Sequence, residues 1–432
     1  MTSAKLWLLT TLLVGACLYF SPTQTLANTN GHSVVLLHGF AGWGRDEMLG
    51  IKYWGVLSGD IQERLKSSGI HTVTGAVGPV SSNYDQAVEL YAQLTGTRVD
   101  YGAKHAAAHG HSRYGRNYTE ALLPNWGKLD ANGNREKIHI IAHSHGGKTA
   151  RMLSYLLKNG SPDFDETTNT NPSALLDPNQ PTGDWIASVT TLSTPHNGTT
   201  LTEGVTEFFP NVVELVASVA AIAGVTDLDN SLYDFKLDQW GLDRESGESF
   251  ASYTGRVNNS GLWSGNVKDI SLWDLSPRGS LEFNEKIPAQ DDVYYFSYST
   301  EATYKGWFTN KHYPDVGISG MFVGLYPTAY YMGRSQFNWP NEQLTIGSNW
   351  FQNDGIVNTI SMAGPVNGST DTIVNFAGQP QKGIWNHMGV IDKTDHFAIV
   401  GLNPLQYSNE FSMGGLVDWY VDWGHYLQGL PN

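Results

Sequence analysis

Cysteine is almost absent from this chain. Only Cys17 occurs among 432 residues, so neither a disulfide framework nor a cysteine-ligated metal centre can hold the fold together. Charge is also scarce, at 16% of residues, and basic charge is the scarcer kind. The 26 Lys and Arg stand against 41 Asp and Glu, for a formal net charge of −15. This argues against nucleic acid, and against an anionic membrane surface, as electrostatic partners. Beyond the N-terminus no stretch is long and apolar enough to span a bilayer. Aromatic residues, in contrast, are plentiful, with 14 Trp and 21 Tyr.

The one strongly apolar segment is N-terminal. Lys5 begins it, Leu6 to Leu18 form its apolar stretch, and Thr25-Leu26-Ala27 closes it before Asn28. This is the layout of a secretory signal peptide spanning residues 1–27. Val14-Gly15-Ala16-Cys17 loosely matches a lipoprotein box, the alternative being an anchor through Cys17. Cleavage after Ala27 is the expected route, giving a secreted chain, 28–432, without cysteine.

Residues 138–147, Ile-His-Ile-Ile-Ala-His-Ser-His-Gly-Gly, carry the clearest chemistry. Ile138, Ile140 and Ile141 suit a buried strand. Lys148 to Leu157 has helical spacing, with Gly160 as its stop. Ala142-His143-Ser144-His145-Gly146 lies between them. A strand, a small-x-Ser-x-Gly turn and a helix make a nucleophile elbow, in which a strained turn lifts the serine oxygen clear of the sheet. The N–H of the next residue, His145, then faces the oxyanion. Ser112, in Gly110-His111-Ser112-Arg113-Tyr114, lacks both the strand and the second glycine.

Val34 to Leu37 read as another buried strand, ending in His38-Gly39-Phe40. The N–H of Phe40 is the expected second oxyanion donor. Residues 83–94 have helical spacing, and 186–192 and 293–299 read as strands. Residues 95–118 are rich in Gly, His and Tyr, and 161–184 form a polar surface excursion. Strands alternating with helices predict a mostly parallel sheet covered on both faces. A serine nucleophile needs a histidine base and an orienting acid, in the chain order Ser, Asp or Glu, His. His312, His387, His396 and His425 all follow Ser144 and the strands after it.

With these pieces placed, the chain resembles the zinc-containing secreted lipases of Gram-positive bacteria, the thermoalkalophilic and staphylococcal group. The resemblance rests on Leu36-Leu37-His38-Gly39-Phe40 with Gly42-Trp43-Gly44-Arg45, and on Val99-Asp100-Tyr101-Gly102 with the histidines of 105–111. It continues through Ile140 to Ser144, Ser193-Thr194-Pro195-His196 and Tyr233 to Leu242. Asn353 to Asn358 and Asp395-His396 complete it. It implies an α/β-hydrolase fold with an inserted zinc-binding segment, about 84–118 with 233–242, and a helical lid at about 200–226, all in one domain over 28–432.

The resemblance selects His396 as the base and Asp354 as the acid. It also implies a structural zinc held by Asp85, His105, His111 and Asp238; two imidazoles and two carboxylates make a closed tetrahedral set. The family binds calcium near its catalytic histidine, but here Ala398 and Asn403 stand where carboxylates are expected. Gly317, Asn403 and Pro404 remain as candidates, too little charge for a tight site. The apolar residues between 205 and 225 match the family's lid. The expected activity is hydrolysis of carboxylic esters, with triacylglycerols at a lipid–water interface as the expected substrate. A carboxylesterase or polyester hydrolase would use the same residues, and an inactive binding protein on the same fold is the remaining alternative.

Overall fold

Val34, Val35, Leu36 and Leu37 are all fully buried, which a strand achieves only when its sheet is covered on both faces. Their alternation divides them. Val34 and Leu36 join one apolar cluster and Val35 and Leu37 the other. The computed structural model describes residues 29–432 except 57, 163, 165–171, 180–181, 209–210, 212, 215, 219–232, 264, 318–319, 404–410 and 412–414. The expected signal peptide, Pro404 and much of the expected lid lie outside the described residues.

The central sheet has seven strands. They are β1 (Ser33–Leu37), β2 (Thr72–Gly75), β3 (Ile138–His143), β4 (Ile186–Leu192), β5 (Tyr294–Thr300), β6 (Ile373–Asn375) and β7 (Trp385–Ile391). The order is β6-β7-β5-β4-β3-β1-β2, and every pairing is parallel. This is the expected α/β-hydrolase sheet, and in such sheets the functional groups gather beyond the carboxyl ends of the strands.

The helices that position the site are α1 (Ile61–Ser67), α2 (Asn83–Thr95), α3 (Ala103–His109), α4 (His145–Asn159), α5 (Tyr326–Met332) and α6 (Leu416–Gln428). Leu90 of α2 and Leu153 of α4 share a cluster with Val35 and Leu37. Leu65 of α1 and Tyr420 of α6 share the other with Val34 and Leu36. Ser82 caps α2, its hydroxyl accepting the N–H of Asp85. The expected helix at 148–157 starts earlier, at His145 directly after Ser144, and Gly160 ends it as expected. Residues 95–118, rich in Gly, His and Tyr, fold into an antiparallel pair, Arg98–Asp100 with Tyr114–Asn117, and α3 lies between its strands in the chain.

Candidate active site and metal centre

Ser144 sits between β3 and α4 with φ 55° and ψ −127°. A non-glycine residue in this region is strained by about 1–3 kcal/mol, held there by its surroundings. Two glycines make room for it. A Cβ on Gly146 would lie 2.4 Å from the carbonyl oxygen of His38, and one on Gly39 would lie 2.6 Å from Ser144 Cβ. The turn thus brings the loop after β1 against the start of α4. The N–H groups of Phe40 and His145 have no protein acceptor among the described residues.

Ser144 Oγ lies 2.9 Å from His396 Nε2, and His396 Nδ1 lies 2.8 Å from Asp354 Oδ2. Asp354 is fully buried. Its Oδ2 also accepts the hydroxyl of Thr300 at 2.8 Å, while Oδ1 accepts the N–H groups of Ile356 and Val357 at 3.0 and 2.8 Å. The structure thus brings Ser144, Asp354 and His396 together. The other histidines lie elsewhere. His387 in β7 faces Ser299, His312 pairs with Thr303, and His425 is exposed on α6. Ser112 lies in the histidine-rich segment, its N–H on the Gln239 carbonyl.

A support for this chain of contacts was not expected. His143, buried at the end of β3, directs Nε2 to the His396 carbonyl at 2.9 Å and Nδ1 to the Tyr53 hydroxyl at 2.6 Å. A carbonyl only accepts, so Nε2 carries the proton and Tyr53 donates to Nδ1. The Tyr53 oxygen in turn accepts the N–H of Gly39 at 3.3 Å. Burial drives the His143 imidazole well below its ordinary pKa, which keeps it neutral in this role. A polar residue ending a buried strand was the one available sign.

The cavity above Ser144 is apolar, with Phe40, Leu201, Val205, Leu272, Ile356 and Phe397 among its walls. Leu201 belongs to a single 3₁₀ turn, Thr200–Glu203, and Val205 begins a helical turn, Val205–Phe208. Val216 is fully buried. Among the other apolar residues expected in the lid, Phe209, Val212, Leu215, Val219, Ile222 and Val225 lie outside the described residues.

A second constellation lies at the start of α2. Asp85, His105, His111 and Asp269 bring one ligand atom each within 4.8 Å of one another. His105 Nε2 is 3.2 Å from Asp85 Oδ1 and 3.4 Å from Asp269 Oδ2, and His111 Nε2 is 3.1 Å from Asp269 Oδ2. A tetrahedron with metal–ligand bonds of about 2.0 Å has edges of about 3.3 Å. His111 Nε2 and Asp269 Oδ2 are buried and make no hydrogen bond of proper geometry. The outer contacts turn the ligand atoms inward. The Ser112 carbonyl lies 2.9 Å from His111 Nδ1, and Gln239 Nε2 donates to Asp85 Oδ2 at 2.8 Å. Burial and the neighbouring Asp269 carboxylate push the Asp85 pKa up. Burial acts the same way on Asp269, but its histidine partners outweigh it and hold that carboxyl low. Two buried carboxylates beside two imidazoles suit a divalent cation.

Asp238, expected as the fourth ligand, is elsewhere. Arg116 takes it, Nε lying 2.7 Å from Asp238 Oδ2, and the same guanidinium holds Asp234 at 3.0 Å. The 233–242 segment does reach the metal cluster, but through Gln239. The fourth member of the cluster, and its second carboxylate, is Asp269, next to an isolated bridge between Ser81 and Ile270 that ties its segment to the start of α2.

Of the calcium candidates, Gly317 and Asn403 are among the described residues, and both have protein partners. The Gly317 carbonyl accepts the Gly320 N–H at 3.2 Å. Asn403 turns its amide nitrogen to Asp395 Oδ2 at 2.6 Å. Asp395 also accepts the N–H groups of Phe322, Phe397 and Ala398 at 2.8, 3.0 and 2.9 Å.

A serine held by such a turn at the carboxyl edge of this sheet, backed by histidine and aspartate, defines the α/β-hydrolase class. Within that class the chain matches the family model described as "Lipase-like, C-terminal domain" over residues 30–421, and it belongs to that family. Lipase 1 of Staphylococcus aureus is 33% identical over 377 residues, 86% of this chain and 51% of the relative. The chain therefore spans about half the length of the curated relatives it matches. Among solved structures, EstA from Clostridium botulinum is 42% identical with a TM-score of 0.83, covering 94% of this chain and 90% of that one. Lipase 1 from Pelosinus fermentans is 41% identical with a TM-score of 0.80, covering 94% and 100%. Staphylococcus hyicus lipase is 29% identical with a TM-score of 0.73, covering 94% and 97%. The expected likeness to the staphylococcal lipases therefore holds.

Proposed function

We propose that this chain is a secreted serine hydrolase of carboxylic esters, acting on triacylglycerols at a lipid–water interface. The observation that carries the reading is the Ser144–His396–Asp354 hydrogen-bond chain beneath an apolar cavity. Ser144 Oγ attacks the ester carbonyl while His396 Nε2 takes its proton. Asp354 holds Nδ1–H, fixing the tautomer and stabilising the imidazolium. The N–H groups of Phe40 and His145 receive the oxyanion. His396 then protonates the leaving alcohol, and a water, deprotonated by the same imidazole, cleaves the acyl-enzyme.

The acyl chain occupies the apolar cavity, and the segment from Thr200 onward acts as its lid. Asp85, His105, His111 and Asp269 hold a structural zinc, since four protein ligands leave no open position for chemistry. Bound there, a zinc would tie α2, through Asp85, and the histidine-rich segment, through His105 and His111, to Asp269. The first 27 residues direct secretion, and among the described residues no helix is long and apolar enough to cross a membrane.

The test has two parts. A fluorophosphonate should label the protein at Ser144, and no label would discard the enzymatic reading. Rates on emulsified long-chain triacylglycerol and on a soluble short ester should both be substantial. Activity confined to the soluble ester would make the protein a carboxylesterase.

A further inference from the structure

We propose that the tip of the hairpin at 303–314 is an anchor that seats the active-site face on a zwitterionic lipid–water surface. This goes beyond the ester-hydrolase reading and rests on it for purpose, though not for measurement.

Thr303–Lys305 and His312–Pro314 pair antiparallel. The Gly306 N–H donates to the Lys311 carbonyl at 2.9 Å and closes the loop. Trp307 and Phe308 stand at its tip, 94% and 100% exposed, where Val323, the next most exposed large apolar side chain among the described residues, reaches 66%. Two adjacent large rings held out in water are costly, and such a feature marks a contact surface more often than chance.

The position of the hairpin says what it meets. It leaves β5 directly after Thr300, which bonds Asp354. At its root the Thr303 hydroxyl accepts the N–H of Asn353 at 3.2 Å, one residue before Asp354. The hairpin leans on α5, the His312 N–H donating to the Gly333 carbonyl at 2.9 Å. Tyr331 of α5 meets the Phe208 ring at 5.5 Å, in the helical turn whose Val205 lines the cavity. The base of the hairpin and the cavity are thus joined through α5 at the carboxyl end of the sheet.

Charge selects the surface. Lys305 and Lys311 flank the rings, are exposed, and pair with no carboxylate among the described residues. In a chain of net charge −15, this is a local reversal. Whole-molecule repulsion disfavours a strongly anionic surface, while two ammonium groups suit the phosphates of zwitterionic headgroups. Tryptophan settles at the headgroup level, and lysine stems let the ammonium reach back to the phosphates while the rings sink.

The experiment uses the full protein carrying Ser144→Ala and sonicated phosphatidylcholine vesicles, with binding read by flotation. The parent should bind. Trp307→Ser with Phe308→Ser should weaken partitioning by roughly 100-fold, the combined transfer preference of two aromatic side chains. Because both side chains are exposed, the melting temperature should not move. Binding of the double variant equal to the parent, or no binding by the parent, overturns the proposal. So does a loss of self-association with unchanged vesicle binding, which would make the tip a contact between copies. With Ser144 intact, the same double variant should keep its rate on a soluble short ester and lose rate on an emulsion. If the unaltered protein hydrolyses neither substrate while the tip still governs vesicle binding, the anchor stands and the ester-hydrolase reading falls.

Discussion

Both buried constellations of this chain are made of histidine and aspartate, yet they treat their polar atoms differently. Around Ser144 the ring nitrogens of His396 and both oxygens of Asp354 have protein partners. Around Asp85 two ligand atoms, His111 Nε2 and Asp269 Oδ2, are buried without a proper hydrogen bond. A buried polar group left unpaired costs about 1–3 kcal/mol. The first site is therefore satisfied by protein partners alone, while the second holds ligand atoms that a divalent cation would satisfy. The first is expected to fail in chemistry when altered, and the second in stability.

The largest effect should come from the first site. Ser144→Ala should lower ester hydrolysis by about 10⁴-fold or more, with the melting temperature nearly unchanged. Asp354→Asn should cost a similar factor, because an amide can present its N–H to Nδ1 and reverse the imidazole tautomer. Steady-state rates on a soluble ester, with thermal melts of each variant, check both. Retained hydrolysis in Ser144→Ala would return attention to Ser112.

The second site should answer to metal removal. Zinc analysis should find about one ion per chain. Binding at a thousandfold excess over Kd adds about 4 kcal/mol to stability, so chelation should lower the melting temperature by roughly 5 °C or more. Asp269→Ala should lose the ion, while Asp238→Ala should keep it and weaken only the Arg116 contact. The opposite pattern, zinc lost in Asp238→Ala and kept in Asp269→Ala, would restore the ligand set that the family resemblance suggested.

That contrast also shows how far the sequence could be read. The elbow is legible because strand, turn and helix are contiguous, and each residue type has a local reason to be there. His396 and Asp354 are not local, but chain order and the family resemblance constrain them. Asp269 has neither help. Its neighbours Val267, Lys268 and Ile270 form no motif, and its place is set by the Ser81–Ile270 bridge and by the Asn83 N–H on Asp274 at 2.6 Å. The family resemblance points to Asp238, but Arg116 holds it, and no spacing announces a pairing across 122 residues. The sheet was legible for the reason the elbow was, since its central strands are continuous buried runs. The hairpin at 303–314 was not, being short and polar apart from its aromatics.

The smallest effect concerns a residue that reaches His396 only through another. Tyr53 donates to His143 Nδ1, and His143 Nε2–H holds the His396 carbonyl. Tyr53→Phe removes the donor and leaves Nδ1 buried and unpaired, imposing on the complete site the kind of deficit that marks the metal site. The imidazole can escape by moving its proton to Nδ1, but it then loses the bond to His396. Either outcome loosens the base without removing it. Stability should fall by about 1–2 kcal/mol, and kcat by roughly 10-fold, the equivalent of about 1.4 kcal/mol in the transition state. KM for a short ester should hold, because the ring still lines the cavity wall. His143→Phe should lose both bonds at once, and adding Tyr53→Phe to it should cost little more, since the two act as one unit. A double-mutant cycle on kcat checks this. Additive losses would mean that Tyr53 acts on Gly39 and the oxyanion loop, not through His143.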